Sequence, residues 1–133
     1  MTSIVTYLGD LRTSSIHLQS GTEIFSDAPL DNNGKGEAFS PTDAVANALA
    51  TCMMTIMGIK ARDLEVDLKG STAEVVKIMK TEPRRIDVIA INFEMYGTAD
   101  VKNITILESA AMTCPVFLSL HPEIEKRIIF NWN

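Results

Sequence analysis

Two cysteines, Cys52 and Cys114, are the residues whose type most readily supports chemistry in this sequence. A thiolate is a nucleophile, a metal ligand and a redox group, whereas a buried protonated thiol is an inert apolar side chain. Secreted domains that depend on disulfides usually carry more cysteines, so a structural disulfide is not expected. Three interpretations of the pair remain open at this point: two buried thiols, part of a metal site, or a redox couple.

Other catalytic and binding patterns are missing from the sequence. A zinc site needs three or four ligands, and neither His17 nor His121 is spaced as a pair with either cysteine. There is no Gly-x-Ser-x-Gly elbow for a serine nucleophile. The Gly34-Lys35-Gly36 run lacks the remaining residues of a phosphate-binding loop. We therefore expect no metal, no Ser-His-Asp triad and no bound nucleotide.

The composition indicates one globular domain over residues 1–133. Hydrophobic residues make up 46% of the chain and charged residues 22%, which suits a packed core. Twelve Lys and Arg against seventeen Asp and Glu give a net charge of -5, the wrong sign for binding nucleic acid. The amino terminus lacks the pattern of a signal peptide. We therefore predict a cytoplasmic protein that binds neither nucleic acid nor membrane.

The first forty residues predict a small sheet followed by a loop. Short apolar runs separated by turn residues indicate strands over Ile4–Tyr7, Ser14–Leu18 and Glu23–Phe25. Residues 27–39 show no apolar period and are rich in Asp, Asn and Gly, so they predict an exposed loop. Loops of this length in compact domains are often functional.

The strongest local signal is a helix start at Ser40, Pro41 and Asp43. These residues supply an N-cap, a first-turn proline and a capping-box carboxylate in the correct order. We predict a helix from Pro41 to near Asp63. It is apolar nearly all round, which is typical of a helix buried in a core or an interface. Cys52 lies about three turns into this helix, too far from its start for the helix dipole alone to activate the thiol.

The second half of the chain predicts a hairpin, a helix, a short helical turn and a final strand. In order, these are Thr72–Lys80 paired with Arg85–Tyr96, a helix capped by Asp100 and ended by Pro115, a short turn over Pro115–Leu120, and a strand over Ile124–Trp132. Cys114 lies near the start of the short turn, where free backbone N–H groups could favour a thiolate. The order of elements predicts an α+β fold.

Two cysteine motifs in this sequence resemble those of a known family. Ser40-Pro41-Thr42-Asp43 followed by Ala48-Leu49-Ala50-Thr51-Cys52, and Cys114-Pro115-Val116 after a second helix, resemble the OsmC/Ohr superfamily of osmotically inducible and organic hydroperoxide resistance proteins. The similarity extends over nearly the whole chain and is nearest to an OsmC-like subgroup. It implies an OsmC-like fold in which β-sheets wrap around long central helices in an intertwined homodimer. Two equivalent active sites would then lie at the subunit interface.

The resemblance also implies a chemistry. In the peroxide-reducing members, the residue matching Cys52 attacks the peroxide and the one matching Cys114 resolves the sulfenic acid as a disulfide. A dithiol such as a dihydrolipoyl group then reduces that disulfide, so no metal or cofactor is needed. The family's activating arginine is matched by Arg12. The implied function is a thiol-dependent peroxidase acting on organic hydroperoxides, and thiolate attack on an O–O bond is consistent with it.

One departure from the family pattern concerns the partner of Arg12. Peroxidase members usually have a glutamate directly after the motif proline, whereas this chain has Thr42 there and Asp43 one residue later. One residue is about 100 degrees of helix rotation, so Asp43 is better explained as part of the cap. Glu37 in the preceding loop is the candidate that could reach Arg12 instead.

Methionines suggest where a substrate tail could bind. Met53, Met57 and Met112 could line an apolar pocket, although methionines at helical spacing are more often core residues. The alternative hypothesis is a non-catalytic, stress-related dimer of the same fold that binds a small apolar ligand, with inert buried cysteines. Redox sensing through a reversible disulfide is a third possibility.

Overall fold

A computed structural model describes residues 1–133, which form two compact units, residues 1–45 and 46–133. The prediction of one domain over residues 1–133 concerns how these units act together, and it stays a prediction. The predicted α+β fold is confirmed, with two three-stranded sheets and three α-helices.

The first unit contains an antiparallel sheet in the order β1-β2-β3. Its strands are β1 (Ser3–Gly9), β2 (Arg12–His17) and β3 (Glu23–Asp27). All three predicted strands are present, but β2 begins earlier and β3 ends later than predicted. The pairing register explains both differences, because Arg12 lies directly opposite Asp27. Residues at the ends of these strands are therefore held by their partner strand, which apolar periodicity alone does not reveal.

The segment after β3 is a tightly turned loop. It contains a 3₁₀ turn over Leu30–Asn32, and the Gly36 N–H donates to the Ala28 carbonyl. A Cβ added at Gly34 would lie 1.7 Å from the Ala28 carbonyl oxygen. The loop therefore requires glycine at position 34 for close backbone approach. The loop predicted over residues 27–39 is present, with this internal structure.

Helix α1 (Pro41–Asp63) has the predicted bounds and the predicted capping box. The Asp43 N–H donates to Ser40 Oγ, and the Ser40 N–H donates to Asp43 Oδ2, both at 3.0 Å. By length and composition α1 could cross a membrane, but core helices of soluble proteins pass the same test.

The second unit contains the sheet β4-β5-β6. The strands β4 (Thr72–Lys80) and β5 (Arg85–Met95) form the predicted antiparallel hairpin, and β6 (Glu125–Trp132) pairs parallel to β5. Alternate side chains of β5 are buried against α1, with Phe93 and Ile89 fully buried. Phe93 also stacks on Phe130 of β6, with ring centroids 5.0 Å apart. This core fixes the middle of α1 on the sheet.

The predicted helix and the predicted short helical turn lead from β5 to β6, and both are α-helices. Helix α2 (Val101–Ala111) is capped by Asp100, whose side chain accepts the Asn103 N–H at 2.8 Å. Helix α3 (Pro115–Ser119) begins directly after Cys114. A parallel strand pair needs a crossover connection, and α2 and α3 lie within it.

Candidate active site

The structure brings the two cysteines together in the second unit. Cys52 projects from α1 and is half-buried against the core, whereas Cys114 is fully buried. Both are free thiols, and Cys52 lies near enough to Cys114 to raise the pKa of its thiol. The two sulfurs are therefore close neighbours although they lie far apart in the sequence.

Cys114 is held in place by the start of α3. It is the N-cap residue, and its Sγ accepts the Phe117 N–H at 3.3 Å. Pro115 occupies the first position of the helix, where its fixed φ suits the turn. The motif Cys114-Pro115-Val116 thus fixes the sulfur by local backbone geometry.

Burial raises the pKa of the Cys114 thiol, and the neighbouring Cys52 raises it further. The Phe117 N–H acts in the opposite direction and lowers the pKa, but its effect is smaller than that of burial. The N–H groups at the start of α3 therefore do not make Cys114 a thiolate, because burial outweighs them. Cys114 is a protonated thiol at neutral pH, and a charge on Cys52 would stabilise that protonated form.

Arg12 lies in the first unit at the start of β2, where two carboxylates bind it. Its Nε donates to Asp27 Oδ1 at 2.7 Å and its Nη2 to Asp27 Oδ2 at 2.8 Å. Nη2 also donates to Glu37 Oε2 at 3.0 Å. The two-bond contact with Asp27 fixes the plane of the guanidinium as well as its position.

These contacts stabilise the charged forms of both partners. The hydrogen bonds with Arg12 lower the pKa of Asp27, although burial of the carboxyl acts against this. The hydrogen bonds to Asp27 and Glu37 raise the pKa of Arg12. A fixed guanidinium and an ionised Asp27 are therefore expected at any pH near neutrality.

The contact expected between Glu37 and Arg12 is present, and Asp43 forms part of the helix cap as expected. Thr42 lies in the first turn of α1, with its hydroxyl near that of Ser40. Sequence reasoning missed Asp27, which was assigned only to the loop. Asp27 could be recognised as a carboxylate directly opposite Arg12 on the neighbouring strand, but only once the register of β2 and β3 is known.

The three methionines predicted to line a pocket differ in burial. Met53 and Met57 are fully buried in the core, and Met112 is 41% exposed at the end of α2. Methionines at helical spacing on α1 therefore fill the interior, because that face packs on the sheet. A cavity of about 340 Å³ instead lies between α1 and β4, and its walls include Ala50, Thr51, Met54, Ala73 and Val75.

No three His, Cys, Asp or Glu side chains come together as a metal-binding group.

Comparisons with known proteins find relatives of this chain in both sequence and fold. Residues 34–128 match the family described as OsmC-like protein, and no curated protein matches the chain. A solved structure from Psychrobacter arcticus 273-4, named for osmotic stress induction and a detoxification response, is 55% identical. The match covers 98% of this chain and 96% of that chain, with a TM-score of 0.95.

Two more distant structures are alike in fold. An OsmC-like protein from Mycoplasma pneumoniae is 15% identical over 98% of this chain and 94% of that chain, with a TM-score of 0.81. An organic hydroperoxide resistance protein OsmC from Legionella pneumophila is 16% identical over 98% and 97%, with a TM-score of 0.69. Together with the family match, the 55% identity shows that this chain belongs to the OsmC family.

Proposed function

We propose that this protein is a thiol-dependent peroxidase that reduces organic hydroperoxides through Cys52 and Cys114. The observation that supports this most is that two free thiols of different burial lie near each other at the same core cluster. The names of several structural neighbours, including the Legionella pneumophila protein, refer to organic hydroperoxide resistance and agree with the proposal.

The proposed reaction begins at Cys52. Its thiolate attacks one peroxide oxygen, an S–O bond forms, the O–O bond breaks, and the alkoxide leaves and takes up a proton to become an alcohol. The Cys114 thiol then attacks the sulfenic acid, which forms the disulfide and releases water. Because Cys114 stays protonated, it does not compete with Cys52 for the peroxide.

We assign reduction of the disulfide to a dithiol such as a dihydrolipoyl group, which exchanges with the exposed side of the pair. Cys52 is the more accessible sulfur and is therefore the site of first attack by the reductant. The proposed role of Arg12 is to stabilise the Cys52 thiolate and to orient the peroxide oxygen.

The proposed assembly is a cytoplasmic homodimer. Large apolar side chains of the first sheet are exposed in the single chain, among them Ile4, Val5, Tyr7, Ile24 and Phe25. Exposed apolar surface of this extent is typical of an interaction surface. Light scattering coupled to size-exclusion chromatography tests the dimer directly.

The proposed function is tested by stopped-flow reaction with cumene hydroperoxide. Wild-type protein should consume the peroxide with formation of an intramolecular disulfide, and Cys52→Ser should not react. The matched variant Cys114→Ser should react once and accumulate a sulfenic acid that a dimedone-type reagent traps. Equal consumption by Cys52→Ser and wild type would reject the proposal.

A second candidate function is a non-catalytic dimer that binds a small apolar ligand. The cavity between α1 and β4 favours it, because its walls carry Ala50, Met54, Ala73 and Val75. Absence of peroxide consumption by the wild type, together with binding of an apolar fluorescent probe that Ala73→Trp abolishes, would favour this candidate over the peroxidase.

A further inference from the structure

The carboxylate that holds Arg12 in this chain comes from a different part of the fold than the family's motif glutamate, whose position is occupied by Thr42. Both carboxylates on Arg12 belong to the first unit, Asp27 at the end of β3 and Glu37 in the loop that follows. We infer that Asp27 is the positioning residue for Arg12. It orients the guanidinium so that the Nη1 N–H groups donate hydrogen bonds to the peroxide. This inference rests on the proposed function.

The geometry of the Arg12–Asp27 contact supports this assignment. Both carboxylate oxygens of Asp27 accept hydrogen bonds from Arg12. The donors are Nε and Nη2, which lie along one edge of the guanidinium. Glu37 binds Nη2 as well. The N–H groups of Nη1 are thus left to donate to a ligand, and the Arg12 side chain keeps 32% of its surface exposed.

Asp27 is itself held rigidly. Its side chain is 1% exposed, and Oδ2 also accepts the Glu37 N–H at 3.1 Å. The cross-strand register places it directly opposite Arg12. A buried carboxylate is costly unless it is paired, so the bonds to Arg12 and to the Glu37 N–H offset the cost of burying the Asp27 charge.

Glu37 has the opposite character. Its side chain is 65% exposed and it makes a single bond to Arg12. An exposed carboxylate of this kind exchanges readily with water, and its ion pair contributes little. Glu37 is therefore the secondary partner, and removing its charge should leave the guanidinium where Asp27 holds it.

The experiment compares Asp27→Asn with Glu37→Gln, a matched pair that removes one charge each without changing side-chain size. We expect kcat/KM for cumene hydroperoxide to fall about 10- to 100-fold in Asp27→Asn, because misplacing a catalytic group by about 1 Å costs that much. Glu37→Gln should change kcat/KM less than about threefold. Arg12→Lys should fall at least as far as Asp27→Asn, because an ammonium cannot form the two-bond contact.

A spectroscopic readout separates positioning from general structure. The Arg12 Nε–H proton donates to Asp27 in the wild type, so its NMR signal should be shifted downfield and exchange slowly with water. The signal should lose both properties in Asp27→Asn and keep them in Glu37→Gln, with unchanged circular dichroism in both variants.

The outcomes distinguish this inference from the proposed function. Inactive wild-type protein with a slowly exchanging Nε–H would reject the peroxidase and keep the contact. Active wild-type protein whose Asp27→Asn variant keeps its kcat/KM within twofold would overturn the positioning role. If Asp27→Asn does not fold, the wild-type signal decides, since rapid exchange of the Arg12 Nε–H would overturn the inference.

Discussion

Oxidation of the cysteine pair should stabilise the folded chain measurably. One equivalent of cumene hydroperoxide added to reduced protein should join Cys52 to Cys114, because the two thiols already interact and Cys114 is fixed at the start of α3. The new bond would close a loop of about 62 residues in the unfolded chain, which lowers the entropy of that state.

The size of the effect follows from the loop length. The chain-entropy relation gives about 4 kcal/mol for a loop of this size, and native-state strain reduces the figure. We therefore expect the free energy of unfolding to increase by about 2 to 4 kcal/mol. With an ordinary dependence on denaturant, the urea midpoint should move upward by about 1 to 2 M.

Urea unfolding of reduced and oxidised protein, followed by Trp132 fluorescence at a fixed protein concentration, measures this shift. Cys114→Ser is the matched control, because serine is a good N-cap for α3 but cannot form the bond. Its midpoint should not move on oxidation. An unchanged midpoint in wild-type protein whose mass shows the loss of two hydrogens would refute the reasoning. A disulfide that joins two chains on non-reducing gels would refute it as well.

Three further predictions test the scaffold around the site. Because Arg12 lowers the pKa of Asp27, the stability from this pair is fully present above the ordinary aspartate pKa of about 3.9 and is lost as pH falls through the lower folded value. Urea midpoints should therefore fall in acid more steeply for wild type than for Asp27→Asn, and equal slopes would contradict the contact. Gly34→Ala should destabilise the loop because its Cβ would meet the Ala28 carbonyl, whereas Gly58→Ala in α1 meets open space and should stabilise the chain by about 1 kcal/mol in thermal unfolding. A loss of stability at Gly58 would mean that another chain covers this part of α1. Asp100→Ala should cost about 1 kcal/mol through loss of the α2 cap, measured by urea unfolding, and no change would show that the cap is dispensable.

The elements that were predicted correctly are those whose signals are local. Ser40, Pro41 and Asp43 set the start of α1 through contacts within three residues, and the hairpin of β4 and β5 follows from alternation along each strand. Local rules of this kind do not depend on the rest of the fold.

The features that were missed depend on contacts between distant residues. The pairing of Arg12 with Asp27 requires the register between two strands, and the ends of those strands were not visible from apolar periodicity. The protonated state of Cys114 depends on burial, which outweighs the local N–H groups. The burial of Met53 and Met57, in contrast, agrees with the expectation that methionines at helical spacing are more often core residues.

The parallel pairing of β5 with β6 has a consequence for biosynthesis. Phe130 completes the core by stacking on Phe93, and β6 is separated from β5 by both α2 and α3. During translation, one edge of β5 therefore stays unpaired and the Phe93 ring stays uncovered until residues 125–132 leave the ribosome. Nascent chains stalled before that point should bind chaperones, and shortening the chain by this one strand should convert a soluble product into an aggregating one.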